Sequence, residues 1–79
     1  MQLLDARVGQ WVRVTGFLGG ARLEKKLSQL GLLTGDRVHV LRHAPFGGPV
    51  LIDVEGRSIA LGKGIAAKIE VEEIQCVSP

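Results

Sequence analysis

Short apolar runs separated by glycines predict a chain made mainly of β-strands. Val12 and Val14 alternate with polar residues within 11–17, which is the period-two pattern of a half-buried strand. Comparable runs predict four further strands, over residues 37–42, 50–54, 57–61 and 68–74. Glu55-Gly56 is a two-residue turn, so the third and fourth strands should form a hairpin.

One segment, residues 21–30, has the period of a helix instead. Its predicted buried face consists of Leu23, Leu27 and Leu30, which recur at the spacing of one helix face. Lys25 and Lys26 lie on the polar side and are expected to be exposed. Gly31 follows directly and suits the end of a helix, because glycine accepts a positive φ. Residues 62–67 are predicted to form one short helical or 3₁₀ turn.

Five short strands and one helix in 79 residues leave too little chain for two separate sheets. Closing one sheet into a small barrel would remove its edges and suits this length. We therefore predict a mainly β, five-stranded barrel with one short α-helix, forming a single domain over 1–79. Its core should span about 4–74, with a tail at 75–79.

Composition narrows the class of protein further. A single cysteine excludes an internal disulfide and fits a reducing compartment, so a cytoplasmic location is expected. The apolar runs fall far short of about 20 residues, so membrane insertion is not expected. The net charge of +2 is small, with seven Lys/Arg against three Asp/Glu in residues 1–43. Such a modest excess does not predict nucleic-acid binding.

Candidate catalytic and metal-binding residues fail on spacing. His39 and His43 share a strand face but would lie roughly 13 Å apart, too far to bind one metal ion. Cys76 has no basic or histidine neighbour to activate it. Gly62-Lys63-Gly64 lacks the remainder of a phosphate loop, and Glu72-Glu73 would point to opposite faces of a strand. We therefore expect no enzymatic activity, no cofactor and no metal ligands.

Two features indicate contact with a partner instead. The basic side of the predicted helix is either a solvated face or a patch that steers a partner. Phe46, in a loop bounded by prolines, is either a lid over the barrel mouth or an exposed anchor of the kind enriched in hot spots. The predicted partner-binding residues are Arg22, Lys25, Lys26, Pro45, Phe46, Gly47, Gly48 and Pro49.

Several of these segments, in order, resemble the FeoA family, from about Leu4 to Val71. The segments that carry the resemblance are Gly19-Gly20-Ala21-Arg22-Leu23 with Leu27, Leu30–Val38, Ala44–Pro49, and Ile59-Ala60-Leu61 followed by Ala66, Ile69 and Val71. The sequence differs at Gly62, where the family commonly has arginine, and at Gly64.

The resemblance implies an SH3-like barrel that acts as a small cytoplasmic adaptor or regulator of bacterial ferrous iron uptake. It implies binding to the cytoplasmic part of the FeoB transporter, which has a GTPase domain and a membrane channel, and it does not imply a metal site. The same fold occurs at the C-terminus of metal-dependent repressors of the DtxR type.

The residues alone leave two other functions open. One is a small nucleic-acid-binding barrel, although three aromatic residues are few for a stacking surface. The other is a metal-sensing subunit that binds a transition metal ion such as iron through His39, His43, Cys76 or carboxylates. Weak self-association also stays open.

Overall fold

The computed structural model describes residues 1–74, which form a bent antiparallel sheet with short helices beside it. The strands are β1 (Trp11–Phe17), β2 (Arg37–His43), β3 (Val50–Val54), β4 (Arg57–Leu61) and β5 (Ile69–Glu73). The helices are α1 (Gly20–Gln29), the four-residue α2 (Lys63–Ala66) and a 3₁₀ helix, Leu3–Asp5. The predicted mainly β fold is confirmed, with boundaries within one or two residues, whereas the 3₁₀ helix was not predicted.

The sheet curves around one apolar core. Its strand order is β4-β3-β2-β1-β5, with every neighbouring pair antiparallel. Register shifts between Val14 and Gly16 in β1, and between Val40 and Arg42 in β2, increase the local twist. The fully buried side chains are aliphatic and come from every strand; the largest are Leu3, Leu27, Leu32, Ile52, Leu61 and Ile69.

The two outer strands differ in how their edges are treated. Within residues 1–74, the ladder runs from β4 to β5 without joining them, so the expectation that closure removes both edges was wrong. The outer edge of β5 is covered by the start of the chain. The Val71 amide donates to the Met1 carbonyl at 2.7 Å, and the Met1 amino group donates to the Val71 carbonyl at 3.1 Å.

Helix α1 ends in a glycine turn that decides which leucine is buried. Gly31 has φ +93°, and its amide donates to the Ser28 carbonyl, while the Leu32 amide donates to the Leu27 carbonyl. This is the Schellman arrangement, in which the residues at its two ends pack together. Leu27 and Leu32 are both fully buried, whereas Leu30 is 45% exposed. The prediction that Leu30 is buried was therefore wrong, because the chain reverses at Gly31 and Leu32 enters the core instead.

The strand pairing defines two ends of the barrel. Arg13 pairs with Arg37 and Trp11 with His39, so β1 runs toward the end of the sheet at which β2 begins and continues past it to Phe17, and α1 connects the two strands there. We call this the helix end. The loop between β2 and β3, residues 44–49, lies at the opposite, loop end. A seven-residue strand such as β2 separates the two ends by about 20 Å.

Candidate functional site

Phe46 projects entirely into solvent at the loop end. Its side chain is 104% exposed, so it covers no part of the barrel. The interpretation of Phe46 as a lid over the barrel mouth is therefore wrong. What remains is the alternative, an exposed aromatic available to a partner.

The loop holds Phe46 in a tight turn. The Gly48 amide donates to the Pro45 carbonyl at 3.2 Å, and both intervening residues have positive φ, 58° for Phe46 and 74° for Gly47. These values define a type I′ turn, which normally has glycine, asparagine or aspartate at the position of Phe46. A second bond, from the Ala44 amide to the Pro49 carbonyl at 3.0 Å, closes the base of the loop.

Two features of this turn restrict its sequence. A Cβ on Gly48 would lie 2.7 Å from the Ala44 Cβ, so glycine is required there. The left-handed conformation at Phe46 costs roughly 1–2 kcal/mol for a residue with a side chain. An exposed phenylalanine held in a strained conformation is typical of binding sites, where function compensates for the strain.

The basic face of α1 is at the helix end. Arg22, Lys25 and Lys26 are all exposed, as predicted for the two lysines. Within residues 1–74, none of the three forms an ion pair. Exposed leucines lie in the same region: Leu18, Leu30 and Leu33 are 45–52% exposed. The helix end therefore combines free positive charge with accessible apolar surface.

The structure does not bring the two predicted partner-contact groups together. The basic face belongs to the helix end and the Phe46 loop to the loop end, so the length of the strands separates them. A partner that engages both must extend along the side of the barrel or reach it with two segments.

His39 and His43 each contact a different residue of the fold. The His39 ring stacks on Trp11, with centroids 4.5 Å apart and an angle of 4° between the planes. The Nε2 of His43 lies 2.7 Å from the Ala6 carbonyl oxygen and donates a hydrogen bond to it. Over residues 1–74, no three side chains of the metal-binding types cluster closely enough to hold an ion. Cys76, the remaining metal-binding candidate, lies outside the described residues.

The sequence interpretation missed an open depression at the loop end. It has a volume of about 570 Å³ and is lined by Met1, Asp5, Arg7, Val8, Gly9, Gln10 and Glu73. Segment 5–10 has no periodic pattern, and its position beside β2 depends on two long-range bonds between its backbone and that of Val40. No local sequence signal identifies such a depression.

The helices of the described part of the chain are short. None of them, over residues 1–74, is long and apolar enough to cross a membrane, and the longest, α1, has ten residues.

Comparison with known proteins gives one consistent family. Residues 1–73 match the model of the FeoA domain. A protein of Methanocaldococcus jannaschii, named as an Fe(2+) transport protein A, is 34% identical over 73 residues, which are 92% of this chain and 87% of the relative.

Solved structures agree with that family. The crystal structure of an iron uptake regulatory protein, FeoA, superposes with a TM-score of 0.85 at 34% identity, covering 94% of this chain and 97% of the other. A manganese-dependent transcriptional repressor superposes with a TM-score of 0.84 at 21% identity, covering 94% of this chain and 41% of the repressor. This second similarity concerns the fold alone.

Proposed function

The chain belongs to the FeoA family, which is linked to ferrous iron transport, and from this premise we propose that it is a small cytoplasmic adaptor or regulator of ferrous iron uptake. Its partner in this proposal is the cytoplasmic part of a FeoB-type transporter. The chain acts by binding this partner and performs no catalysis. The similarity to an iron uptake regulatory protein supports a regulatory role.

The observation that carries the proposal is the Phe46 loop. Phe46 is fully exposed and adds no contact to the core, although its backbone is in a strained type I′ turn. Two backbone hydrogen bonds nevertheless hold the loop in this conformation. A loop ordered before binding loses little conformational entropy when it docks. Phe46 is therefore suited to anchor the chain in an apolar pocket of the transporter.

The basic face of α1 has a different role in the proposal. Exposed cations that form no ion pairs within residues 1–74 attract an acidic surface over several ångströms and raise the association rate more than the final affinity. Arg22, Lys25 and Lys26 accordingly steer the transporter's cytoplasmic part toward the helix end. Phe46 then contributes contact energy at the loop end.

Neither alternative function finds comparable support. A nucleic-acid-binding barrel needs several stacking aromatics, but Trp11 is half-buried against His39, and Phe46 is the one fully exposed aromatic within residues 1–74. A metal sensor would need a set of ligands, and no three side chains of the metal-binding types cluster closely enough to hold an ion within residues 1–74.

Calorimetric titration tests the proposal directly. We expect the purified protein to bind the cytoplasmic region of a FeoB-type transporter with saturable heat and a negative heat-capacity change, because apolar surface is buried. Parallel titrations with single-stranded RNA and with ferrous iron serve as comparisons. Saturable binding to RNA or to iron, with none to the transporter, would replace the proposal by the corresponding alternative.

A further inference from the structure

Among residues 1–74, strand β4 has a free backbone edge. Whereas the backbone of Met1 and Gln2 covers the edge of β5, β4 pairs with β3 alone, and nothing else in residues 1–74 bonds to its backbone. A free edge of this kind is a template for another strand. Within the described part of the chain, the edge of β5 is therefore covered and the edge of β4 is open.

The hairpin register identifies which groups of β4 are free. Val54 and Arg57 flank the two-residue turn, so they form a hydrogen-bonded pair, and hydrogen bonding to β3 recurs at Ile59 and Leu61. The amides and carbonyls of Ser58 and Ala60 consequently point away from β3. Both residues are exposed and small, so an added strand can approach closely.

The side chains along this edge indicate what sequence would fit. Ile59 is half-buried and offers apolar contact to one residue of an added strand. Arg57 is exposed at the start of β4 and Lys63 two residues beyond its end, and residues 57–68 contain three cations and no carboxylate. An added segment that alternates apolar and acidic residues would match both the pleat and the charge.

We propose that β4 is a docking edge for an extended acidic segment of the transporter's cytoplasmic part, which pairs with Ser58 and Ala60 as a sixth strand. This inference rests on the proposed function, because it assigns that same partner. A second copy of this chain fits less well, because antiparallel pairing of two β4 strands would bring their terminal cations together.

Amide hydrogen exchange, followed by NMR, tests the docking directly. In the free protein, the amides of Ser58 and Ala60 should exchange fast, and those of Ile59 and Leu61 slowly, since these donate to β3. Saturation with the transporter's cytoplasmic region should slow Ser58 and Ala60 by at least about tenfold. Slow exchange in the free protein that is lost in a variant ending at Ile74 would show that residues 75–79 occupy the edge, which would overturn the proposal.

A proline substitution provides the complementary test. Ala60→Pro removes an amide that β3 does not use, and we expect affinity for the transporter region to fall by at least about tenfold. Ala60→Ser keeps the amide and should bind within about twofold of the original protein. If Ala60→Pro fails to fold, the exchange measurement on the unaltered protein decides the matter.

The outcomes separate this inference from the function beneath it. Saturable transporter binding with unchanged exchange at Ser58 and Ala60 would overturn the docking edge and leave the proposed function standing. Protection that appears at high concentration without the transporter, together with a dimer in sedimentation, would assign the edge to a second copy and overturn the proposal. Absence of any transporter binding would overturn both.

Discussion

At the scale of single residues, conformations that disfavour a side chain mark where the fold changes direction. Phe46 and Glu55 have φ values of 58° and 53°, and each precedes a glycine that also has positive φ. At Glu55 the turn simply joins two paired strands. At Phe46 the same backbone geometry displays a large apolar side chain to solvent, which serves no purpose in folding.

Gly31 is a turn glycine whose replacement should be costly, because its φ of +93° disfavours any side chain. Gly31→Ala places a Cβ at φ +93° and into the Arg57 guanidinium, which donates to the Gly31 carbonyl at 3.2 Å. We expect the free energy of unfolding to fall by about 1–3 kcal/mol, measured by urea denaturation. Gly64→Ala is the matched control, because its Cβ meets nothing within 4 Å. It lies in α2 and should leave stability unchanged or raise it by up to about 1 kcal/mol.

At the scale of elements, the sequence predicts where strands and turns lie but not how they are joined in space. Alternating valines gave β1 correctly, since Val12 and Val14 are buried while Arg13 is exposed. The helical period of α1 was also predicted correctly, but the predicted buried face extended one leucine too far, to Leu30. Whether the core receives Leu30 or Leu32 depends on the αL conformation of Gly31, which the helical period does not encode.

Some features of the candidate surfaces could not be predicted from the sequence, because they depend on which strands pair. The Trp11–His39 stack needs the register of β1 on β2, and the free edge of β4 needs the full strand order. Local patterns carry neither. The Phe46 loop could be predicted as a rigid loop from its prolines and glycines, whereas the exposure of Phe46 could not.

The β3–β4 hairpin allows a test of the turn assignment. A type I′ turn prefers asparagine followed by glycine, so Glu55→Asn should relieve the strain at φ 53° and keep Gly56 in place. We expect a gain of roughly 0.5–1 kcal/mol in the free energy of unfolding, seen as a higher denaturation midpoint at an unchanged m-value. A loss of stability on this substitution would contradict the turn geometry.

At the scale of the whole molecule, the candidate contact groups are distributed over two ends and one side. The basic face of α1 occupies the helix end, the Phe46 loop the opposite end, and the free edge of β4 runs between them. This arrangement suits a small adaptor held by an extended partner segment. It also means that substitutions at the two ends should act independently, because distant sites are usually additive.

Charge reversal on α1 tests the steering role. The double substitution Lys25→Glu with Lys26→Glu should lower the association rate with the transporter region by about tenfold at low salt, and the deficit should shrink at high ionic strength. Dissociation should change little. Arg42→Glu, at an exposed cation of β2, is the control and should leave the association rate within about twofold. An association rate that the double substitution leaves unchanged would show that the basic face does not steer the partner.

Phe46→Ala, measured for affinity and melting temperature on the same sample, shows whether Phe46 is the residue that anchors the partner. Because Phe46 contributes nothing to the core, the melting temperature should stay within about 2 °C of the original. Truncating a hot-spot aromatic costs about 2 kcal/mol of binding free energy, so the affinity for the transporter region should fall roughly 30-fold. Leu33→Ala removes an apolar side chain of 52% exposure at the helix end and should bind nearly as well as the original protein. If the unaltered protein binds the transporter region and Phe46→Ala binds it with the same affinity, this loop does not anchor the partner.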